Sequence, residues 1–255
     1  MTLYYSFFTI HYSLKNIVEV KNLVAGYEHR TLIRNLSFSV PAQAFVAIVG
    51  HNGAGKTTLF RAFQQKIPYQ GQLLLQGRDL RNTKDAAASG LLSYLPQKNI
   101  VSFSISVLDL VVMGLFRKKS FFENYTAQDY DRARAILAQL ELTHLQEQDF
   151  TTLSGGEQQM VWLAQLMLQD AGVVLLDEPT QQLDVYYKKQ VFQLLQEWVQ
   201  QKGKTVFCIT HDLYNLQPMQ GYLLNLSKPD PILEPLSPET VQQNQEYLEA
   251  QRIVR

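Results

Sequence analysis

The chain has 255 residues, enough to bury a large core and to form one or two domains. Its 23 Lys and Arg residues balance 23 Asp and Glu residues, so the formal net charge is zero. That balance gives no electrostatic case for nucleic acid or for an anionic membrane surface as partner. Hydrophobic residues make up 46% and charged ones 18%, a globular composition with an apolar surplus that a partner surface can use.

Residues 1–16, MTLYYSFFTIHYSLKN, are aromatic but lack the basic start and long apolar core of a secretory signal. They read as a leader whose role, accessory strand, docking tail or upstream start, is open. Nothing downstream approaches the roughly 18 consecutive apolar residues of a membrane span. The single cysteine, Cys208, sits in the apolar run TVFCIT and reads as a buried, inert thiol. With one cysteine no disulfide can form within the chain, in keeping with a reducing cytoplasm.

From Ile17 the sequence alternates short strand-like runs with turn signals: IVEVKNL, TLIRNLSFSV and AFVAIVG, broken at Gly26 and Pro41. The third run opens into GHNGAGKTT. Gly50, Gly55, Lys56 and Thr57 fill the pattern G-x-x-x-x-G-K-[ST], with Gly53 as a further hinge. Glycines allow the backbone N–H groups to turn inward around a polyphosphate, and the helix that follows adds the positive end of its dipole. Lys56 is the charge for the outer phosphates, and the Thr57 hydroxyl suits Mg²⁺. A turn that merely needs positive φ explains the glycines but not Lys56 and Thr57 beside them. Tyr27, on the loop after Gly26, is the aromatic face best placed to stack on a purine, although a lone tyrosine is more often packing.

Gln72–Leu75 and Leu91–Leu95 read as further strands, the second ending at Pro96 and Gln97. Helical spacing then takes over in Ile105–Gly114 and Asp129–Leu142, a helical insertion within an α/β domain. The basic run Arg117, Lys118 and Lys119 between them reads as a solvated face. Val173–Leu176 is a buried strand ending at Asp177 and Glu178; Lys189–Gln201 is an amphipathic helix with Val191, Leu194, Leu195 and Trp198 on one stripe. Thr205–Thr210 is another buried strand, with His211 and Asp212 at its C-terminal end, where ligands of open α/β sheets collect. From Lys228 the chain turns Pro-rich and polar, ending in a Gln- and Glu-rich helix candidate.

A second anion site lies at LSGGEQQ. The Ser154 hydroxyl and the Gly155 and Gly156 N–H groups open a helix-compatible run, MVWLAQLML, and suit a phosphate. One nucleotide cannot plainly use both sites in one chain.

GHNGAGKTT, Gln97, LSGGEQQ, VVLLDEPT and the histidine of ITHD occur in the order of the ATP-binding subunits of ABC transporters, and the chain resembles them from Ile17 to Leu226. The resemblance implies an α/β fold of the P-loop NTPase type: a mixed sheet core, an antiparallel β subdomain and an α-helical insertion over residues 98–165. It divides the chain into the leader 1–16, an ATPase domain 17–230 and a polar C-terminal tail 231–255. It also implies a head-to-tail dimer in which LSGGEQQ of one subunit covers the ATP of the other, which answers the puzzle of two anion sites.

Carried over residue by residue, Gly50, Asn52, Gly53, Gly55, Lys56, Thr57 and Thr58 match the ATP loop. Asp177 matches the aspartate that supports Mg²⁺ together with Thr57 and Gln97. Glu178 matches the catalytic glutamate, His211 the switch histidine and Gln97 the loop glutamine that joins the ATP site to the helical insertion. Ser154, Gly155 and Gly156 match the signature, and Asp184 with Leu183 the loop crossing the dimer interface. Three positions depart from the pattern: His51 at a variable place, Gln165 for a common arginine, and Gln181 for a frequent serine.

The implied cofactors are ATP and Mg²⁺. The implied partners are transmembrane permease subunits, a second ATP-binding subunit, most simply an identical copy, and a substrate-binding protein, with no nucleic acid. The implied place is peripheral, on the cytoplasmic face of the cell membrane. Phe103, Phe116, Phe121 and Phe122 are the apolar residues of the insertion available to a permease. SISVLDLVVMG and LDVYYKKQVFQLL look like the subunits of importers for siderophore, haem or cobalamin, and less closely like those for metal ions. The competing class is a soluble ABC-type ATPase of DNA repair, translation or cofactor assembly. Those proteins usually carry paired ATPase domains or added binding modules.

Overall fold

A computed structural model describes residues 16–28, 30–83, 86, 89–120 and 123–253. The leader (save Asn16), Phe121 and Phe122 therefore lie outside the described residues. Two sheets organise the rest. The first is antiparallel, in the order β2-β1-β4-β5, from β1 (Asn16–Tyr27), β2 (Arg30–Pro41), β4 (Tyr69–Leu75) and β5 (Arg78–Asp79). The second runs β10-β9-β3-β8-β7-β6, from β3 (Phe45–Val49), β6 (Leu92–Leu95), β7 (Val173–Asp177), β8 (Thr205–Ile209), β9 (Tyr222–Asn225) and β10 (Leu233–Pro235). All its pairings are parallel except β9 with β10.

The apolar runs of β3, β7 and β8 are buried throughout, as strands covered on both faces must be. Successive residues serve different cores because the side-chain period of a strand is two. Phe45, Ala47 and Val49, with Val174, Leu176, Val206 and Cys208, pack into one cluster with the helices α2 (Val107–Val112), α4 (Gly155–Gln169) and α5 (Val185–Gln200). Val46 and Ile48, with Val173, Leu175, Phe207 and Ile209, pack into the other, beneath α1 (Lys56–Phe63) and the antiparallel sheet. The stripe Val191, Leu194, Leu195 and Trp198 is buried as its spacing predicts, although α5 starts four residues before Lys189, capped by Asp184.

The insertion contains α2, a 3₁₀ segment Met113–Lys118, α3 (Ala127–Gln139) and α4. Lys119 departs from the solvated reading of its basic run. Its ammonium reaches Asp129 at 2.6 Å and Glu123 at 2.9 Å, pinning the start of α3 to the end of the 3₁₀ segment. Asp129 is also the N3 residue of a capping box with Thr126, so a single carboxylate serves cap and ion pair together.

Residues 231–253 do not trail from the domain. They supply β10 and the helix α6 (Pro238–Ile253), whose Val241 and Asn244 are fully buried. The composition there is polar because most of α6 faces solvent; a few inward positions suffice to dock it.

Candidate active site

The registers bring Ile48 beside Ile209, and Ile209 beside Asp177, so β3, β8 and β7 end together. Gly50 and Glu178 follow their strands directly, His211 follows β8 after Thr210, and the three share one edge of the sheet.

The loop after β3 turns through positive φ at Gly53 (84°) and Gly55 (94°), the latter as N-cap of α1. Asn52, Gly53 and Thr57 are exposed, while Gly55, Lys56 and Thr58 are buried. Lys56 Nζ donates to the Gly50 carbonyl at 2.7 Å and to the His51 carbonyl at 3.2 Å. Burial holds the Lys56 ammonium below its usual pKa, opposed by the charges of Glu178 and Asp177. Lys56 thus stands at the loop with its charge only partly balanced, which favours an anion there.

Asp177, the last residue of β7, is 3% exposed. Burial pushes its carboxyl above the ordinary range, the hydrogen bond with Thr57 opposes that, and the charge of Glu178 adds to it. Tyr94, on β6, donates its hydroxyl to Asp177 Oδ2 at 3.4 Å, and burial followed by the Asp177 charge pushes that phenol up to about 12. Tyr94 stays a donor across the physiological range. A strand-borne tyrosine carries no sequence signal for this role; the β6–β7 pairing creates it.

Glu178 has φ of 52°, a left-handed conformation that a non-glycine residue adopts at a cost. Its amide donates to the Ile209 carbonyl at 3.0 Å, tying the turn to β8. Gln97 Nε2 donates to Glu178 Oε2 at 3.1 Å and to Gln181 Oε1 at 2.9 Å. On its other side His211 Nε2 lies 3.1 Å from Glu178 Oε1. Three motifs separated by long stretches of chain therefore meet on one carboxylate. The local sequence gives no partner for the neighbouring Asp212: Thr180 donates its hydroxyl to Asp212 Oδ2 at 2.5 Å, and Lys188 Nζ donates to Asp212 Oδ1 at 2.8 Å. Asp212 adjoins His211 in sequence, which was the available signal.

The signature segment is built as a helix start. Ser154 donates its hydroxyl to Glu157 Oε2 at 2.6 Å, and Glu157 returns its amide to Ser154 Oγ at 3.4 Å, a capping box. Gly155 is exposed. Gly156 is buried against Tyr187, where a Cβ would lie 2.2 Å from the ring. Among the described residues no hydrogen bond or ion pair joins Ser154, Gly155 or Gly156 to the phosphate loop. Asp184 accepts from the Tyr187 amide at 2.9 Å as the N-cap of α5.

Tyr27 is 43% exposed, accepts at its hydroxyl from Arg61 Nη1 at 2.9 Å, and carries the Arg61 guanidinium 5.7 Å from its ring centre. Of the departures from the family pattern, Gln181 is held by Gln97, Gln165 Nε2 donates to the Leu110 carbonyl at 3.0 Å, and the His51 amide donates to Ser227 Oγ at 2.8 Å. Cys208 is fully buried and its thiol is pushed up by burial, as an inert core residue should be.

A glycine loop with a buried lysine, a strand-end aspartate and a glutamate gripped by glutamine and histidine, on a mixed sheet flanked by an antiparallel one, define a nucleotide-hydrolysing domain of the ATP-binding-cassette class. Residues 33–181 match the family model described as ABC transporter, and the chain belongs to that family. It is 36% identical over 194 residues to the achromobactin transport ATP-binding protein CbrD of Dickeya dadantii, covering 76% of this chain and 72% of the relative. It is 30% identical over 207 residues to the ferric enterobactin transport ATP-binding protein FepC of Escherichia coli, covering 81% of this chain and 76% of the relative. Among solved structures, a metal-chelate type ABC transporter in an inward-facing conformation superposes with a TM-score of 0.76 at 28% identity, over 87% of this chain and 84% of that one. The chain is an ATP-hydrolysing subunit of a transporter. No helix among its described residues is long and apolar enough to cross a membrane.

Proposed function

We propose that the chain powers import of a metal chelate of the siderophore, haem or cobalamin type through separate permease subunits, from the cytoplasmic face of the membrane. The observation that carries the catalytic part is the carboxylate of Glu178, held between Gln97 and His211 at 3.1 Å each. So placed, Glu178 polarises a water for in-line attack on the γ-phosphate, His211 holds that water and the phosphate, and Lys56 balances the charge of the outer phosphates.

The donor set at Asp177 and Thr57 fits Mg²⁺. It offers one buried carboxylate and one hydroxyl, and no cluster of three or more His, Cys, Asp or Glu able to hold a metal exists among the described residues. Mg²⁺ takes few protein ligands and completes its shell with water and phosphate oxygens. Thr57, Asp177 and Gln97 would hold it, and it would neutralise phosphate charge.

Tyr27 stacks on the adenine. Ser154, Gly155, Gly156 and Asp184 act in trans, across a head-to-tail pair with a second, identical subunit. Ser154 is exposed, and its partner Glu157 lies on the same helix, so the segment can meet a nucleotide held by another copy. The permease seat is the outer face of the insertion, where Ile100, Phe103, Met113 and Phe116 are 86%, 58%, 41% and 64% exposed. The cargo class rests on the relatives, named for achromobactin and ferric enterobactin transport.

The test is co-expression with permease and binding-protein subunits of a metal-chelate importer, followed by ATP-dependent uptake of ⁵⁵Fe-siderophore, haem and labelled cobalamin into cells lacking their own importers. Uptake of one chelate that disappears with Glu178→Gln is expected. A complex that hydrolyses ATP but moves none of them would end the cargo assignment, and failure to associate with any permease would end the transport reading.

A further inference from the structure

Helix α6 lies outside every motif that identified the site, yet a continuous set of hydrogen bonds leads from it to the phosphate loop. The peptide joining Gly50 to His51 is gripped at both ends. Its carbonyl accepts from Lys56 Nζ at 2.7 Å, and its N–H donates to Ser227 Oγ at 2.8 Å. Because a peptide unit is planar, fixing the N–H direction fixes where the carbonyl points. Ser227 thus sets the oxygen that positions Lys56. A Cβ built on Gly50 would lie 3.1 Å from Ser227 Oγ, so the serine packs directly on the loop.

Ser227 is held in turn from α6. Its amide donates to Asn225 Oδ1 at 2.9 Å, and its carbonyl accepts from the Tyr247 hydroxyl at 3.1 Å. Asn225 and Asn244 are both fully buried, and Asn225 Nδ2 donates to Asn244 Oδ1 at 2.9 Å. Asn244 spends its own amide on the Thr240 carbonyl at 2.9 Å and on Glu234 Oε2 at 3.2 Å, and Glu234 accepts from Lys228 Nζ at 2.7 Å. Buried amides whose hydrogen bonds are this fully used have one orientation, so Asn225 presents its oxygen to Ser227 in one direction only.

We propose that Ser227, Asn225, Asn244 and Tyr247 are positioning residues for nucleotide binding, through which α6 orients the Gly50–His51 peptide and with it Lys56. The inference rests on the phosphate-cradle reading of that loop. None of the four contacts Glu178, His211 or Gln97 in the described hydrogen bonds. Their loss therefore weakens the hold on ATP and spares turnover at saturation, a rise in KM with kcat kept.

The experiment measures ATP affinity by titration, and KM and kcat for ATP, on the full chain and on Lys56→Ala, Ser227→Ala, Ser227→Thr, Tyr247→Phe and the double variant Ser227→Ala/Tyr247→Phe. Ser227→Ala is expected to raise KM and Kd about three- to tenfold, the worth of one hydrogen bond, with kcat within about twofold of the parent. Ser227→Thr, which keeps the hydroxyl, restores affinity. Tyr247→Phe gives a smaller rise that vanishes in the Ser227→Ala background, because it acts through that serine. A merely structural role would lower thermal midpoints and leave the KM-to-kcat split untouched. Parental ATP affinity in Ser227→Ala, or a full Tyr247→Phe effect in the double variant, overturns the proposal while Lys56→Ala still fails to bind ATP. If Lys56→Ala binds ATP like the parent, the cradle reading falls and this inference with it.

Discussion

Gln97 and Glu178, 81 residues apart in the chain, are joined by a hydrogen bond of 3.1 Å from the Gln97 amide to a Glu178 carboxylate oxygen. The first follows β6, at the entry to the helical insertion, and the second follows β7. A movement of the insertion that draws Gln97 away breaks its hydrogen bond to the carboxylate proposed to activate water. On the proposed reading, that bond links the hydrolytic site to the permease seat.

Replacing Glu178 by Gln keeps the shape and removes the proposed base. ATPase turnover is expected to fall by about 10²–10⁴-fold while ATP binding persists. Rapid-quench measurement of phosphate release, with size-exclusion chromatography in ATP, checks both; accumulation of an ATP-bound dimer is the expected second sign. Parental turnover would remove Glu178 from the mechanism.

Asp177→Asn separates stability from activity. The folded-state pKa of Asp177 is raised by burial, so the native state binds the proton more readily than the unfolded chain. Its contribution to stability is therefore best at low pH and declines as pH rises through the raised pKa, where the buried carboxylate ionises. The amide removes that burden. Asp177→Asn should melt higher than the parent at pH 7 without nucleotide, with the gain shrinking on acidification, and should lose Mg²⁺-dependent hydrolysis.

Asp129 behaves in the opposite sense. The hydrogen bond from Lys119, aided by the Thr126 amide, lowers its pKa from 3.8 to about 2. Stability from this carboxylate is complete above the unfolded value and is lost as pH falls toward the folded one. Asp129→Asn is expected to lower the thermal midpoint at pH 7, and the difference from the parent should close between pH 4 and 2. A pH-independent difference would show that packing, not charge, is what Asp129 contributes.

Gly156 faces the Tyr187 ring at a distance that leaves no room for a Cβ. Gly156→Ala must displace that ring or the start of α4, at a cost of about 1–3 kcal/mol. Denaturant unfolding of the ligand-free chain measures it. Tyr187→Ala in the same background should recover part of the loss, since it removes the obstructing ring.

The chain order of GHNGAGKTT, Gln97, LSGGEQQ, LLDEPT and ITHD determined the fold class and named the residues proposed for the site, because each motif is local: phosphate loops, caps and strand ends are set by neighbours within a few residues. The full burial of β3, β7 and β8 was legible for the same reason, as short continuous apolar runs. What only the tertiary structure decided depends on strand pairing and helix docking. It placed Tyr94 on Asp177 through the β6–β7 register and closed Lys119 onto Asp129. It turned the polar stretch 231–253 into a docked strand and helix, and ran a hydrogen-bonded line from Asn244 through Asn225 and Ser227 to His51. Contacts set by strand pairing and helix docking leave no periodicity in the chain, and an asparagine or serine has the same local signature whether it faces water or holds a glycine-rich loop.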